Sequence, residues 1–569
     1  MTENPILYGL NEPQIRAVTH TEGPLLVVAG PGTGKTHTIV RRIAYLLDKG
    51  VKPHEILAIT FTNRAAREMR ERAEAFSSQA GKDISIGTFH MFGLNMLRYI
   101  TGRDFKLMGR DDQIEILKGL TGGRTKDALD ALDEISRIKN LYLEKGMENN
   151  HIFHRYQATL KDMDAIDLDD LILLPVALLA EDERAWRYAG MFRYIMIDEY
   201  QDINPSQYKL IKALARFTQN ICAVGDSDQA IYAFRGADVE NFLNFERDFP
   251  GAEVVVLDRN YRSSRIILDA SQNLIKNNLK RIKKDTHTIR KTKDIPIKLI
   301  SATDERAEAE AIVSEIGNRI GAMSHYQLMQ GNQSYDYGEA SYRFSDFAIL
   351  YRTNNQARAL KEALSEAGIP FKVVGDLDTR VLKDTLDRLK ARMVDIREGM
   401  TLDSILDEAF GCVEKDGMIG LKTNLALAYQ DLPLTEGLSR VIDELSLFTS
   451  PDAFDPKADV VHLMTLHMSK GLEFRVVFIA GAEDGLIPYG LSESERDGYE
   501  EERRLFYVGM TRARDELCLL FCENRSVYGK RMNQRPSPFI KEIPKGYIQH
   551  MVLSRKEKAK KKPRQGRLF

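Results

Sequence analysis

Cysteine is scarce in this chain: Cys222, Cys412, Cys518 and Cys522 are the four among 569 residues. That number excludes a disulfide scaffold. Cys518 and Cys522 fall in an apolar run, CLLFC, that reads as a buried strand, and neither has neighbours enough to build a zinc or iron–sulfur site. Long apolar runs are missing as well. The best of them, 171–180, is far short of the ~20 residues needed to span a bilayer. The first two dozen residues lack the charged start and apolar core of a signal peptide. The expected compartment is therefore the reducing cytoplasm. An excess of charge of one sign is also absent: 81 Lys and Arg stand against 83 Asp and Glu, for a net charge of -2. Whole-molecule attraction to a polyanion is excluded, so any such partner must be met by a local basic groove.

The chain does have the 43% apolar and 29% charged content of an ordinary globular protein, and length for roughly four folding units at about 150 residues each. Short, β-branched, nearly continuous apolar runs recur at 25–29 (LLVVA), 56–61, 194–197 (YIMI), 221–224, 254–257, 347–351 (FAILY), 461–466 and 476–481. Runs of this kind suit strands buried on both faces. With helical patterns between them they predict an α/β fold of βαβ units and parallel sheets. The stretches 99–190 and 376–454 are more polar and helical in pattern, and read as insertions into two α/β cores. Residues 321–343 are polar and read as a surface loop. The tail from about 546 is basic, without aliphatic periodicity, and is expected to be flexible.

AGPGTGKT, Ala29, Gly30, Pro31, Gly32, Thr33, Gly34, Lys35 and Thr36, follows one apolar run and precedes a helical one. That is the context a P-loop requires. Its glycines let backbone N–H groups turn onto phosphates, the helix N-terminus adds a positive dipole, Lys35 reaches the β and γ phosphates, and the Thr36 hydroxyl suits Mg²⁺. A chance match to the pattern recurs in roughly one chain in fifty of this length, before its context is counted. YIMIDEYQD ends an apolar strand in Asp198 and Glu199. One carboxylate there can hold the Mg²⁺ shell, and its neighbour can orient and deprotonate the attacking water. Acidic pairs alone are usually solvated surface; a pair closing an apolar strand in a chain with a P-loop is a stronger signal. Two arginines, Arg262 and Arg512, stand in LDRNYRSS and YVGMTRARDEL, but physics alone does not select them from the other arginines.

These segments, together with AITFTNRAAREM, IGTFHMFGLNMLR, AVGDSDQAIYAFRGAD, VHLMTLHMSKGLEF and EEERRLFYVGMTRARDEL, resemble in content and order the UvrD/Rep/PcrA-type superfamily 1 DNA helicases. The resemblance runs from about residue 10 to 519. It implies two RecA-like domains with ATP in the cleft between them, a first core of 1–98 and 191–265 and a second of 266–375 and 455–545. Each carries a helical insertion, 99–190 and 376–454, and a basic tail follows at 546–569. It implies that Gln14 reads the adenine edge and Tyr261 stacks on the base. Arg262 and Arg512 contact the γ-phosphate, Gln229 links that phosphate to the DNA site, and Glu473 lies near the cleft. It puts Phe61, Asn63, His90, Tyr232, Phe234, Arg235, Thr465 and His467 on the single-stranded DNA path, where aromatic stacking contributes about 1–3 kcal/mol per base. For an isolated Phe the core reading wins by roughly three to one; the motif context reverses those odds. The implied activity is ATP-dependent 3′–5′ translocation or unwinding in DNA repair, replication restart or recombination control, with ATP and Mg²⁺ as cofactors and single-stranded DNA and its junctions as partners, at the nucleoid.

Three departures qualify the resemblance. His37 follows GKT where Arg is common, Phe234 replaces a usual Trp, and the second insertion, at about 80 residues, is about half the usual length. A monomer less autoinhibited than its relatives, or one that unwinds poorly unaided, is the expectation. The final residues, QGRLF, resemble a sliding-clamp-binding pentapeptide with Gln565, Leu568 and Phe569 as anchors; a solvated basic arm is the plainer reading. A related nuclease–helicase would need an acidic C-terminal domain, for which the mostly basic final 50 or so residues leave no room. A non-catalytic DNA-bound adaptor sits poorly with an intact nucleotide motif set, and RNA is the weaker alternative substrate.

Overall fold

The computed structural model describes residues 4–76, 83–320, 342–375, 379–397, 399–411, 416–456, 458–491, 495–527 and 530–552. Its strands follow the apolar runs. In chain order they are β1 (Leu25–Ala29), β2 (Ile56–Thr60), β3 (Ser85–Thr88), β4 (Lys106–Met108), β5 (Ala165–Asp167), β6 (Tyr194–Ile197), β7 (Ile221–Gly225) and β8 (Glu253–Leu257). Next come β9 (Arg259–Asn260), β10 (His287–Thr288), β11 (Ile297–Asp304), β12 (Phe347–Tyr351), β13 (Phe371–Val373) and β14 (Val461–Thr465). The last four are β15 (Phe474–Ile479), β16 (Ala513–Val527), β17 (Lys530–Asn533) and β18 (Ile548–Val552).

Two parallel sheets dominate, as the buried-run pattern predicts. The first has the order β3-β2-β6-β7-β1-β8, and the second β13-β14-β12-β15-β16-β11-β18 with β17 antiparallel on β16. Both faces of each sheet are packed, because the inward residues of alternate registers enter different apolar clusters. Leu26 and Val28 face one cluster while Leu25, Val27 and Ala29 face the other, and the second sheet divides in the same way. Each parallel pair is joined by a crossover, so the segments that leave the strand ends collect at one edge. At that edge of the first sheet, three adjacent strands, β6, β7 and β1, deliver Asp198 and Glu199, the turn 226–229, and the P-loop.

Residues 99–190 form helices at Arg110–Thr121, Thr125–Asn140, Glu144–Asn149, His151–Asp162, Asp170–Glu181 and Glu183–Ala189, with the short pair β4 and β5. Among the described residues, 379–446 form four helices, Thr379–Val394, Leu402–Phe410, Asp416–Tyr429 and Leu434–Ser446, around a core of their own that includes Leu389, Leu406, Leu425 and Val441.

Two sequence expectations need correction. The tail does not begin at 546: Ile548–Val552 pairs in parallel with Ile297–Ser301 at the sheet edge. The loop expected at 321–343 falls mostly outside the described residues; of its last two residues Arg343 is exposed as expected, but Tyr342 is not surface, being 8% exposed and donating from its hydroxyl to Glu516 Oε1 at 3.0 Å. Gln565, Leu568, Phe569 and Cys412 also lie outside the described residues. Cys222, Cys518 and Cys522 are buried free thiols. No described helix is long and apolar enough to cross a membrane.

Candidate active site

The P-loop joins β1 to the helix Lys35–Asp48, which starts at Lys35 with Gly34 as its left-handed cap. Its glycines are demanded by space as well as by torsion. A Cβ at Gly32 (φ +69°) would sit 2.4 Å from the Arg262 Cβ, and one at Gly34 (φ +89°) 2.9 Å from Gln14 Nε2. The loop is thus pressed against the two segments that the sequence links to the base and the γ-phosphate. Asn260 Nδ2 fastens it by donating to Pro31 O at 2.7 Å, and Thr33 Oγ1 donates to Gly30 O at 2.9 Å.

A cavity of about 680 Å³ opens over this loop, with Gln14, Lys35, Glu199, Tyr261, Glu473 and Arg512 among its lining residues. Pro31, Thr36, His37, Gln229 and Arg262 line it too. Gln14 closes the helix Glu12–Thr19 in a capping box, accepting from Asn11 N at 3.1 Å and donating to Thr33 O at 3.2 Å. An amide holds two donor and two acceptor positions, so each end keeps one for a ligand. The Tyr261 ring is 39% exposed and its hydroxyl accepts from Asn11 Nδ2 at 2.9 Å, which leaves the ring face available.

The acidic pair closes β6. Glu199 adopts φ +50°, a left-handed backbone rare for a residue with a side chain, and such strain collects at functional sites. The turn aims Glu199 at Lys35 Nζ, 3.2 Å away. Burial opposes its ionisation, yet Lys35 and then Lys470 hold its carboxyl well below the ordinary range. Asp198 goes the other way, raised by burial and by the Glu199 charge beside it. Among the described residues no cation forms an ion pair with this buried carboxylate, though Lys35 and Lys470 act on it from further off, and such a group is one a divalent ion satisfies. Thr36 lines the cavity, and Asp198 is buried directly before the lining residue Glu199; a hydroxyl and a carboxylate are donor types that fit Mg²⁺, a hard cation that takes one or two protein oxygens and keeps the rest for phosphate and water.

The second sheet meets the cavity with the opposite ends of its strands. Glu473 precedes β15, Arg512 precedes β16, and Phe474 N donates to Arg512 O at 3.0 Å. Arg512 is buried and donates to Val508 O at 2.9 Å, Leu472 O at 3.1 Å and Gln229 Oε1 at 3.4 Å. Burial and the neighbouring Arg262 push it down to about 9. Arg262 Nε donates to Glu473 Oε2 at 2.6 Å. Gln229 is held by Asp226 Oδ2 at 2.8 Å, and Asp226 N donates to Gln201 Oε1 at 2.9 Å, whose Nε2 donates to Glu199 Oε2 at 2.6 Å. One hydrogen-bonded chain thus runs from Glu199 through Gln201, Asp226 and Gln229 to Arg512. Lys470 crosses between the cores, donating to Asp202 and, at 2.6 Å, to Gln229 O.

The expected nucleic-acid residues form a cluster, a pair and an outlier. Tyr232, Phe234 and His467 come together with ring centroids 5.3–6.5 Å apart, and the Arg235 guanidinium lies 5.5 Å from the Tyr232 ring centroid and 5.6 Å from that of Phe234. Phe234 is 65% exposed. Burial, with Arg352 next, pushes His467 down to about 3, so it meets a ligand as a neutral ring. Thr465 ends β14, two residues before it, and its hydroxyl accepts from Met468 N at 3.3 Å. Phe61 packs edge-on to Phe89, 6.0 Å between centroids, beside His90, and burial lowers His90 to about 4. Asn63 stands apart from both groups. It is buried, and its amide donates to Leu447 O at 2.9 Å and faces Asp452 at 3.4 Å. Sequence reasoning missed Gln201, Asp202 and Lys470. Lys470 lies within the segment VHLMTLHMSKGLEF, and the other two follow the acidic pair almost directly, so their positions were the one signal that could have found them.

Comparison with known proteins agrees with this geometry. Residues 10–250 match the UvrD/REP helicase N-terminal domain, and residues 255–391 and 420–524 match the UvrD-like helicase C-terminal domain. The chain is 33% identical over 684 aligned positions to the ATP-dependent DNA helicase PcrA of Bacillus subtilis (strain 168), covering 99% of this chain and 90% of that one. It is 32% identical over 660 positions to PcrA of Staphylococcus aureus (strain Mu50), covering 96% and 88%. The break in the second match, between 391 and 420, falls inside the short second insertion.

Proposed function

This chain belongs to the UvrD-like helicase family, and on that premise we propose that it is a 3′–5′ DNA helicase or translocase that acts on single-stranded and tailed duplex DNA in repair, replication restart or recombination control. It is a DNA-dependent ATPase by family. Lys35 and the loop 29–36 take the triphosphate, Thr36 and Asp198 would hold Mg²⁺, and Glu199 would accept the proton of the attacking water. Arg262 and Arg512 meet the charge that develops on the γ-phosphate, a contribution of about 10³–10⁵-fold in P-loop enzymes. A bound metal would neutralise phosphate charge and fix its geometry. The γ-phosphate competes with Glu199 for Lys35 and with Glu473 for Arg262, so binding exchanges partners on both walls of the cleft.

The observation that carries the proposal is the segment 226–235. Its first residues, Asp226 and Gln229, belong to the bonded chain that reaches Glu199 and Arg512, and its last, Tyr232, Phe234 and Arg235, belong to the exposed aromatic cluster. A shift of this one turn is felt at both sites. DNA contact is assigned to Tyr232, Phe234, Arg235, Thr465 and His467, with Phe61 and His90 further along. Asn63 is instead an anchor for the second insertion.

ATP hydrolysis should rise steeply with single-stranded DNA, and a 3′-tailed duplex should be unwound in preference to a 5′-tailed one. Absence of DNA stimulation, or the opposite polarity, overturns the proposal. A translocase that displaces bound protein and unwinds little is the second reading; the short, anchored second insertion favours it, and tailed duplexes that go unopened by an active ATPase would select it. QGRLF at 565–569 is proposed to dock on a sliding clamp through Gln565, Leu568 and Phe569.

A further inference from the structure

Between the two cores runs the segment 276–290, and its middle is bonded to both. At one end Leu279 N and Lys280 N donate to the Glu500 carboxylate, at 3.0 and 3.3 Å, and Asn278 Nδ2 donates to Glu500 O at 2.9 Å. Arg503 Nη1 returns a bond to Asn278 Oδ1 at 2.6 Å. Glu500 and Arg503 belong to the helix Arg496–Met510, which leads directly into Arg512. At the other end Arg281 clamps Asp228 with two bonds of 2.8 Å, Ile282 N donates to Ser227 Oγ at 3.1 Å, and Lys284 Nζ reaches both Asp226 and Asp228. The side chains of Asp226 and Asp228 are fully enclosed, that of Lys284 is 4% exposed, and Arg281 is 9% exposed. The Lys284 Cε also lies 3.3 Å from where a Cβ of Gly30 would stand, on the underside of the P-loop.

We propose that Lys284 is a positioning residue for the ATPase: with Arg281 it straps the helix before Arg512 to the turn that holds Gln229, so that the two residues facing the γ-phosphate from opposite cores move in register with DNA binding. Asp226 cannot choose its orientation freely, because one carboxylate oxygen accepts from Gln229 Nε2 at 2.8 Å and the other from Asp228 N at 3.0 Å and from Lys284. Two buried aspartates without Lys284 would repel one another, and the Asp226 carboxylate that aims Gln229 would turn away. Burial acts against the charges of Asp228, Arg281 and Lys284, and each is kept by its opposite; with Asp226 the cluster holds two carboxylates, one ammonium and one guanidinium.

This inference rests on the proposed DNA-stimulated ATPase, and one experiment separates the two. Steady-state ATPase of the full chain is measured with and without single-stranded DNA for wild type, Lys284→Met, and the charge-balanced pair Lys284→Met with Asp228→Asn, which leaves one buried anion and one cation. Thermal melting identifies which variants fold. The expected result is that the ratio of DNA-stimulated to DNA-free kcat falls about ten- to a hundredfold, as misplacement of a reacting group by about 1 Å does. The KM for ATP should stay within about threefold, because uniform binding is untouched, and the DNA-free rate should fall clearly less than the DNA-stimulated one, because the strap's role is to carry the shift of the 226–235 turn on DNA binding. A folded variant that keeps the wild-type ratio, or loses both rates in parallel, overturns the role of Lys284. A wild type without stimulation overturns the proposed function instead.

Discussion

Glu199 carries opposing demands at one residue. Its backbone is strained into φ +50°, and its carboxyl is kept ionised against burial by Lys35 and Lys470. An ionised, oriented carboxylate beside the P-loop lysine is what a water-activating base requires, while Asp198 next to it has the raised affinity for protons that a metal would replace. Replacing Glu199 with Gln preserves shape and hydrogen bonding to Gln201 and removes the carboxylate proposed as the base. The expected outcome is a fall in kcat of about 10²–10⁴-fold with nucleotide affinity retained, measured by single-turnover hydrolysis beside equilibrium binding. A rate within tenfold of wild type would place the base elsewhere.

At the scale of elements, the helical unit 379–446 is docked on residues that belong with the first sheet although the chain carries it between β13 and β14 of the second. Arg98 grips Asp443 through both terminal nitrogens, at 2.6 and 2.7 Å, and Arg67 pairs with Glu444 at 2.8 Å. Arg64 N donates to Asp452 at 3.0 Å, and Leu447 enters an apolar cluster with Leu94, Leu97, Ile166 and Leu171. Asp443 and Glu444 are buried, while the Arg98 side chain is 26% exposed. Removing one partner of such a pair costs less than the ~3–5 kcal/mol of a fully buried one and more than the ~0–1 kcal/mol of a surface one. Asp443→Asn is therefore expected to destabilise by about 2 kcal/mol in chemical denaturation and to change duplex unwinding more than DNA-stimulated ATPase. If the two activities change together, the anchor serves only stability. The expectation of a regulatory remnant thus becomes a question about this latch, and removal of 376–454 with both activities unchanged would end it.

For the whole molecule, near-neutral charge leaves affinity for DNA to local groups, and the basic tail is a candidate for one of them. Residues 555–569 hold eight Lys and Arg against one Glu. Truncation after 552 should lower the slope of log affinity against log salt by about 0.7 for each single-strand phosphate that the tail had neutralised. It should abolish binding to a sliding clamp and leave kcat at saturating DNA unchanged. Full-chain Leu568→Ala with Phe569→Ala should lose the clamp alone; retained clamp binding in that variant rules out the pentapeptide.

The glycine loop and the acidic pair that meet at the cavity were legible in the sequence because each is local. A glycine loop between a buried strand and a helix, and an acidic pair closing a strand, are written in consecutive residues whose torsions and periodicity need no distant partner. The strand runs were legible for the same reason, and two parallel sheets followed from them. Tertiary structure alone decided what depends on burial between distant segments. The run KRIKKD, 280–285, has the composition of a solvated surface, yet Arg281 and Lys284 are enclosed by the aspartates of another strand's turn. Asn63 sits in a motif of the DNA path, yet Leu447 and Asp452, nearly 400 residues away, bury it. Residues 548–552 lack a strand's alternation, yet the edge of β11 gives their backbone its hydrogen bonds. In each case a long-range partner supplies the charge, the cover or the hydrogen bond, and a partner that far along the chain leaves no trace in local pattern.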